Sequence, residues 1–243
     1  ATALFHRQKW SRLPIVLDFI NHDSVKVHII TALYQISQNK REEALQTVSQ
    51  GFDLLAQNAC GAFKHDKAGV YPLLVKAQQL EEIAEIANQT QSLEVWEKRL
   101  SLCRQSYDVY HQILSVHLTV YPISEPVMLK DGLKMLKLAL RSKKFQLFDA
   151  SLHFFFPDQS TWPTEVSFLH AKGMWARGMQ REAFVEAKEI LKRNRIDDKN
   201  LKAKIFFSCG QWIISMTPPS QVNNVIKNAV KYLEQSIRQG THY

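Results

Sequence analysis

Glycine, proline and paired cysteines are scarce in this sequence. The chain has 8 glycines and 8 prolines among 243 residues, too few for the many tight turns of an all-β fold. Its 3 cysteines, Cys60, Cys103 and Cys209, lie far apart without a Cys-x-x-Cys pair, which argues against a disulfide framework or a zinc knuckle. We therefore expect no metal or cofactor in this chain and an intracellular, reducing compartment.

Long apolar runs are also missing. No stretch approaches the roughly 20 apolar residues of a membrane-spanning helix, and the first residues, ATALFHRQKWSRL, lack the apolar centre of a signal peptide. We expect no membrane contact. The sequence does not begin with Met, which suggests a piece of a longer chain.

Apolar residues recur with the 3.6-residue period of helices, and strand-type alternation never persists. The chain is 45% hydrophobic and 22% charged, the composition of a folded protein with a sizeable core. No linker or low-complexity tract divides it, so we predict a single helical-repeat domain over residues 1–243. The predicted helices are 24–38, 41–60, 69–87, 92–120, 126–141, 144–153, 164–177, 180–194, 199–216 and 220–239, with Thr164 and Asp198 as N-caps.

Small residues recur at the same spacing in two stretches of the sequence. Each stretch has an alanine, then Asn or Gly seven residues later, then a second alanine twelve residues after the first. Tetratricopeptide units place small residues where two antiparallel helices cross and a turn residue between the helices. The pattern predicts an all-α, tetratricopeptide-like helical-hairpin solenoid. The residues assigned to helix packing are Ala32, Ala44, Ala171, Gly178 and Ala183, with Asn39 in the turn of the first stretch.

Catalytic motifs are absent. Gly173 and Gly178 have the glycine spacing of a phosphate-binding loop, but Met179 and Gln180 replace the required Lys and Ser/Thr. The set of one Lys and two Asp that a protein kinase needs is also missing. The adjacent acids Glu81 and Glu82 indicate solvated charges, because neighbours point to different parts of a helix surface. We predict that this chain is not an enzyme.

Positive charge is in excess, with a formal net charge of +8 and an isoelectric point near 9.3. The favoured interpretation is the solvated outer face of an amphipathic helix, because no aromatic residues interleave for base stacking. The alternative is a surface that contacts DNA or another part of a parent protein. The stripe that carries this charge is Lys130, Lys134, Lys137, Arg141 and Lys144.

A second candidate interaction site lies in the predicted long helix 92–120, which carries an apolar stripe at three- or four-residue steps. Arg99 falls on this stripe near Trp96 and Leu100. If buried, it requires a partner; otherwise it extends its charged end to the surface.

Three segments resemble a known family in order along the chain. The segment VYPLLVKAQQLEEIAEIA (70–87) followed by Trp96-x-x-Arg99-Leu100 resembles the FAT domain of the phosphatidylinositol-3-kinase-related protein kinases. The segments TEVSFLHAKGMWARGMQREAFVEAKEILKR (164–193) and SCGQWIISMTPPSQVNNVIKNAVKYLEQSI (208–237) look most like the ataxia-telangiectasia-mutated (ATM) class. The resemblance covers roughly residues 25–238.

This resemblance implies a non-catalytic helical scaffold that wraps and regulates a serine/threonine kinase domain elsewhere in the parent chain. In the ATM class that kinase acts in DNA-damage signalling in the nucleus and works as a homodimer. The implied partners are the kinase domain, other helical regions of the same chain, and other proteins. Two alternatives remain: an independent tetratricopeptide-type adaptor that binds peptides in a groove, and a basic helical nucleic-acid module with salt-dependent affinity.

Overall fold

The computed structural model describes residues 24–65, 70–193, 196–218 and 222–239. Over these ranges the chain is helical and contains no β-strand. The eleven α-helices of the described ranges are α1 Val25–Ser37, α2 Arg41–His65, α3 Val70–Asn88, α4 Leu93–Leu102, α5 Tyr107–His117, α6 Pro126–Arg141, α7 Phe145–Phe155, α8 Thr164–Ala176, α9 Gln180–Lys192, α10 Lys199–Met216 and α11 Val222–Gln239, with a 3-10 turn at Gln159–Thr161.

Neighbouring helices pack as consecutive hairpins. Helix α1 packs on α2, α2 on α3, α8 on α9, α9 on α10, and α10 on α11; α3 also contacts α1 and α5. The contacts divide the chain into two compact units, one up to Asp131 and one from Gly132 onward, and each has its own hydrophobic core. The predicted class, an all-α tetratricopeptide-like helical-hairpin solenoid, is confirmed.

Four helices end in the same left-handed C-cap. A residue with positive φ lies one position past the end of α3 and two positions past the ends of α1, α6 and α8: Asn39 61°, Gln89 59°, Lys143 54° and Gly178 90°. The next residue then donates its N–H to a carbonyl five residues back, at 2.9 Å from Lys40 to Gln35 and 3.0 Å from Met179 to Met174. This is the Schellman motif, which satisfies carbonyls left open at a helix end. Glycine adopts this conformation freely and asparagine tolerates it, whereas Gln89 and Lys143 are strained by it.

We expect Lys143→Gly to stabilise the protein by about 0.5–1 kcal/mol. The exposed lysine adopts a positive φ of 54°, which costs an L-residue roughly 1–2 kcal/mol, partly offset by the greater unfolded-state freedom of glycine. The control is Ser142→Gly, where φ is not positive, and it should be destabilising by about 0.5–1 kcal/mol. Urea unfolding measures both changes, and a Lys143→Gly protein less stable than the parent would contradict the strain argument.

The single long helix predicted over 92–120 is wrong, because the chain reverses between α4 and α5. In a continuous helix, Trp96 and His117 would stand about 32 Å apart at 1.5 Å per residue. Their rings instead stack with centroids 4.6 Å apart. The two helices therefore form another hairpin.

Extended backbone at two residues and a hydrogen bond to α3 explain this reversal. Cys103 leaves the helix with an extended ψ of 155°, and the Arg104 N–H donates to the Tyr71 hydroxyl of α3 at 2.6 Å. Ser106 is also extended and directly precedes α5. The apolar stripe nevertheless buries Trp96 and Tyr107, as it would in one helix. Periodicity thus located the buried side chains but not the break between them.

Of the two predicted N-cap residues, the structure confirms one and contradicts the other. Asp198 is confirmed as an N-cap, since its Oδ1 accepts the N–H groups of Asn200 at 2.8 Å and Leu201 at 3.1 Å. The prediction for Thr164 is wrong, because Thr164 is already the first residue of α8 and Pro163 occupies the cap position. Proline fixes the extended entry there without a capping side chain.

Candidate functional site

The alanines assigned to helix packing lie inside the two cores. Ala32 and Ala44 contribute to the core of the first unit, and Ala171 and Ala183 to that of the second unit. All four have an exposed fraction of 0%. Gly178 lies in the turn between α8 and α9, where an added Cβ would meet no atom within 4 Å. The positive φ, and not a lack of space, therefore restricts which residues position 178 can accept.

Ala183→Leu should be destabilising by roughly 1–3 kcal/mol, because three extra carbons must enter a fully packed site between α8 and α9. Gln180→Ala, at the exposed start of the same helix, should change stability by less than about 0.5 kcal/mol. Urea unfolding of the two variants tests this order. An Ala183→Leu protein as stable as the parent would count against a close helix crossing at this residue.

Glu85 of α3 holds two side chains of α4. Its carboxylate accepts a hydrogen bond from Trp96 Nε1 at 2.5 Å and one from Arg99 Nη2 at 2.7 Å. Trp96 is fully buried, whereas 34% of the Arg99 side chain is exposed. Of the two interpretations of Arg99, the structure shows the paired arginine. Together these residues fix α4 against α3.

The hydrogen bonds to Glu85 favour the ionised form of its carboxyl group. Burial by itself would raise the pKa of the carboxyl group, but the hydrogen bonds from Arg99 and Trp96 outweigh burial and lower the pKa below its ordinary value of 4.5. The same hydrogen bond raises the pKa of Arg99. The folded state therefore stabilises both charges.

This lowered pKa predicts a pH-dependent role for Glu85. The ionised carboxylate contributes its full stabilisation above the unfolded-state pKa near 4.5 and loses it as the pH falls through the lower folded-state pKa. Glu85→Gln should thus cost most stability at neutral pH and progressively less in acid. Urea unfolding of both proteins from pH 7 to about pH 3 tests this, and a pH-independent difference would refute it.

A buried acid and histidine connect α3 with α5. The interpretation of Glu82 as a solvated charge is wrong, since the residue is fully buried. Its Oε2 lies 3.1 Å from His117 Nε2, and its Oε1 accepts a hydrogen bond from Gln78 Nε2 at 2.9 Å. The Trp96 ring stacks on His117. A polar group with several partners is tolerated in a core in this way.

The position of Glu82 in the apolar pattern carries the signal that sequence reasoning missed. Glu82 is seven residues after Val75 and four before Ile86, both of which are buried on α3. His117 is likewise seven residues after Tyr110 and three after Leu114, both buried on α5. Two polar residues on core stripes of neighbouring helices indicate a buried pair.

The basic stripe does not lie on a single helix, and two of its lysines form ion pairs. Helix α6 ends at Arg141, so it carries four of the five charges, and Lys144 lies just before α7. Lys130 Nζ pairs with Glu97 Oε1 at 3.0 Å, and Lys137 Nζ pairs with Glu165 Oε1 at 2.7 Å. Lys134 is half-buried and Arg141 is exposed. Direct contact with nucleic acid stays a prediction.

Two of the three cysteines, Cys103 and Cys209, offer little nucleophilic reactivity. Burial raises the pKa of Cys209 to about 12 and also raises the pKa of Cys103, so their thiolates are disfavoured. Among the described residues, no three His, Cys, Asp or Glu side chains form a group that could hold a metal ion. None of the described helices is both long and apolar enough to cross a membrane.

Known proteins resemble this chain along most of its length. The family model of the FAT domain matches residues 1–239. Serine/threonine-protein kinase tor1 of Schizosaccharomyces pombe is 20% identical over 211 residues, a segment that covers 78% of this chain and 9% of the kinase. The chain thus spans less than a tenth of that relative, whose name points to the TOR class and not specifically to ATM. Because the family match includes nearly every residue, the chain belongs to the FAT domain family.

Proposed function

We propose that this chain is a non-catalytic scaffold within a large serine/threonine protein kinase of the phosphatidylinositol-3-kinase-related family. The FAT match over residues 1–239 carries the proposal, and the small share of the tor1 chain that aligns supports a larger parent protein. In this role the helical hairpins support and regulate a kinase domain outside the present sequence. The chain itself supplies packing surfaces and no reacting group.

Cross-linking of the intact parent protein tests this scaffold role. Lysine-reactive cross-links followed by mass spectrometry should join this region to the kinase domain of the same chain. Calorimetry of the isolated 243-residue chain should detect no stoichiometric Mg-ATP binding. The absence of cross-links to a kinase domain, or tight Mg-ATP binding by the isolated chain, would overturn the scaffold proposal.

The finer assignment that we propose is an ATM-like kinase that acts as a homodimer in nuclear DNA-damage signalling. The order of the Cys209-Gly-x-Trp212 segment, the following proline-containing break and α11 supports this class. The second candidate is the TOR class, which the similarity to tor1 favours. Kinase activity of the immunopurified parent before and after DNA breakage distinguishes them: an increase supports the ATM-like class, and unchanged activity supports TOR.

A further inference from the structure

A cleft of about 800 Å³ opens between α9, α10 and α11 in the second unit, within the size range of ligand sites. Its base is aromatic: the Tyr232 ring lies 6.3 Å from Phe184 and 6.1 Å from Phe206. Leu191 and Ile213 extend this apolar surface. Such a surface favours apolar side chains from a ligand, because their burial removes both surfaces from water.

Positive charge surrounds this apolar base. The charged side chains lining the cleft among the described residues are all lysines: Lys188 and Lys192 on α9 and Lys231 on α11. Lys188 Nζ lies 5.6 Å from the Phe184 ring centroid, so its charge is held beside the apolar surface. Lys192 binds Glu189 at 2.6 Å, but both side chains are largely exposed, and such a pair is weak.

We propose that this cleft binds an acidic amphipathic helix of a partner protein. One row of apolar side chains on that helix would cover the aromatic base, and flanking Asp or Glu residues would face the lysines on both walls. Lys188 and Lys192 are four residues apart on α9, so carboxylates three or four residues apart on the partner match them. A small inorganic anion would leave the aromatic base uncovered. This binding role goes beyond the scaffold role and does not depend on it.

The test uses a fluorescein-labelled helical peptide of about 16 residues with leucines at three- and four-residue steps and flanking glutamates. Fluorescence anisotropy with the full 243-residue chain should show saturable binding. Lys188→Glu and Lys231→Glu should each weaken it about tenfold, because each replaces an attraction by a repulsion. The control is Lys204→Glu, which makes the same charge change on an exposed part of α10 outside the cleft and should alter affinity less than about twofold.

Two altered peptides separate the contributions of charge and apolar contact. Replacing the glutamates by lysines, or the leucines by serines, should abolish measurable binding. Retained binding of either peptide, or an equal loss in Lys204→Glu, would overturn the proposal. Displacement of the acidic peptide by a single-stranded oligonucleotide would assign the cleft to nucleic acid instead. Circular dichroism of each variant establishes that the helices remain folded.

Discussion

Replacing Trp96 by alanine is expected to lower the free energy of unfolding by about 3–5 kcal/mol, as for other large buried aromatic side chains. Trp96 is fully buried, stacks on His117 at 4.6 Å and donates to Glu85. The substitution leaves a cavity between α3, α4 and α5 and removes one of the donors to Glu85. Urea unfolding followed by circular dichroism measures the loss.

Trp96→Phe separates packing from hydrogen bonding at this site. The smaller ring retains an aromatic surface against His117 but cannot donate to Glu85, so we expect a loss of roughly 1–3 kcal/mol. A loss below about 1 kcal/mol for Trp96→Ala would mean that the site collapses without a cavity. That result would contradict the central role assigned to Trp96 in joining the three helices.

The second large effect is expected at Glu82, where alanine should cost about 3 kcal/mol. Removing this buried carboxylate leaves His117 Nε2 and the Gln78 amide without the partner they contact at 3.1 and 2.9 Å. When one partner of a buried pair is removed, the remaining polar group stays buried without a hydrogen bond, and its desolvation is no longer compensated. Equilibrium unfolding at neutral pH gives the magnitude.

The neighbouring residue provides a matched control for this substitution. Glu81→Ala removes the same chemical group from an exposed position on α3 and should change stability by less than about 0.5 kcal/mol. Similar losses for Glu81→Ala and Glu82→Ala would show that helix propensity or net charge, and not the buried pair, determines the effect.

Much of the helical architecture could be predicted because local periodicity and caps specify it. The breaks at Asn39 and Gly178 follow from residues that tolerate a positive φ. Gln89 and Lys143 adopt the same conformation without that compositional signal. The reversal at Cys103–Ser106 was missed for a related reason: its key contact, from Arg104 to Tyr71, joins residues 33 positions apart.

The candidate sites show a similar division. The packing alanines carry a signal because close helix crossings need small residues at a fixed spacing. By contrast, no local pattern pairs Arg99 with Glu85, fourteen residues earlier. The sequence also does not predict that the three lysines of the cleft lie together, because Lys231 approaches Lys188 only when α11 packs beside α9 and α10. Patterns along one helix predict its faces, whereas sites between helices require the packed chain.

The reversal between α4 and α5 also determines how this part of the protein opens. Both helices are fastened to α3, through Glu85 to Trp96 and through Glu82 to His117, and the stacked rings join them to each other. Neither helix can detach without exposing a side chain that the other one covers. Amide hydrogen exchange should therefore report a common opening free energy for the central residues of α3, α4 and α5, so that three short helices behave as one cooperative unit.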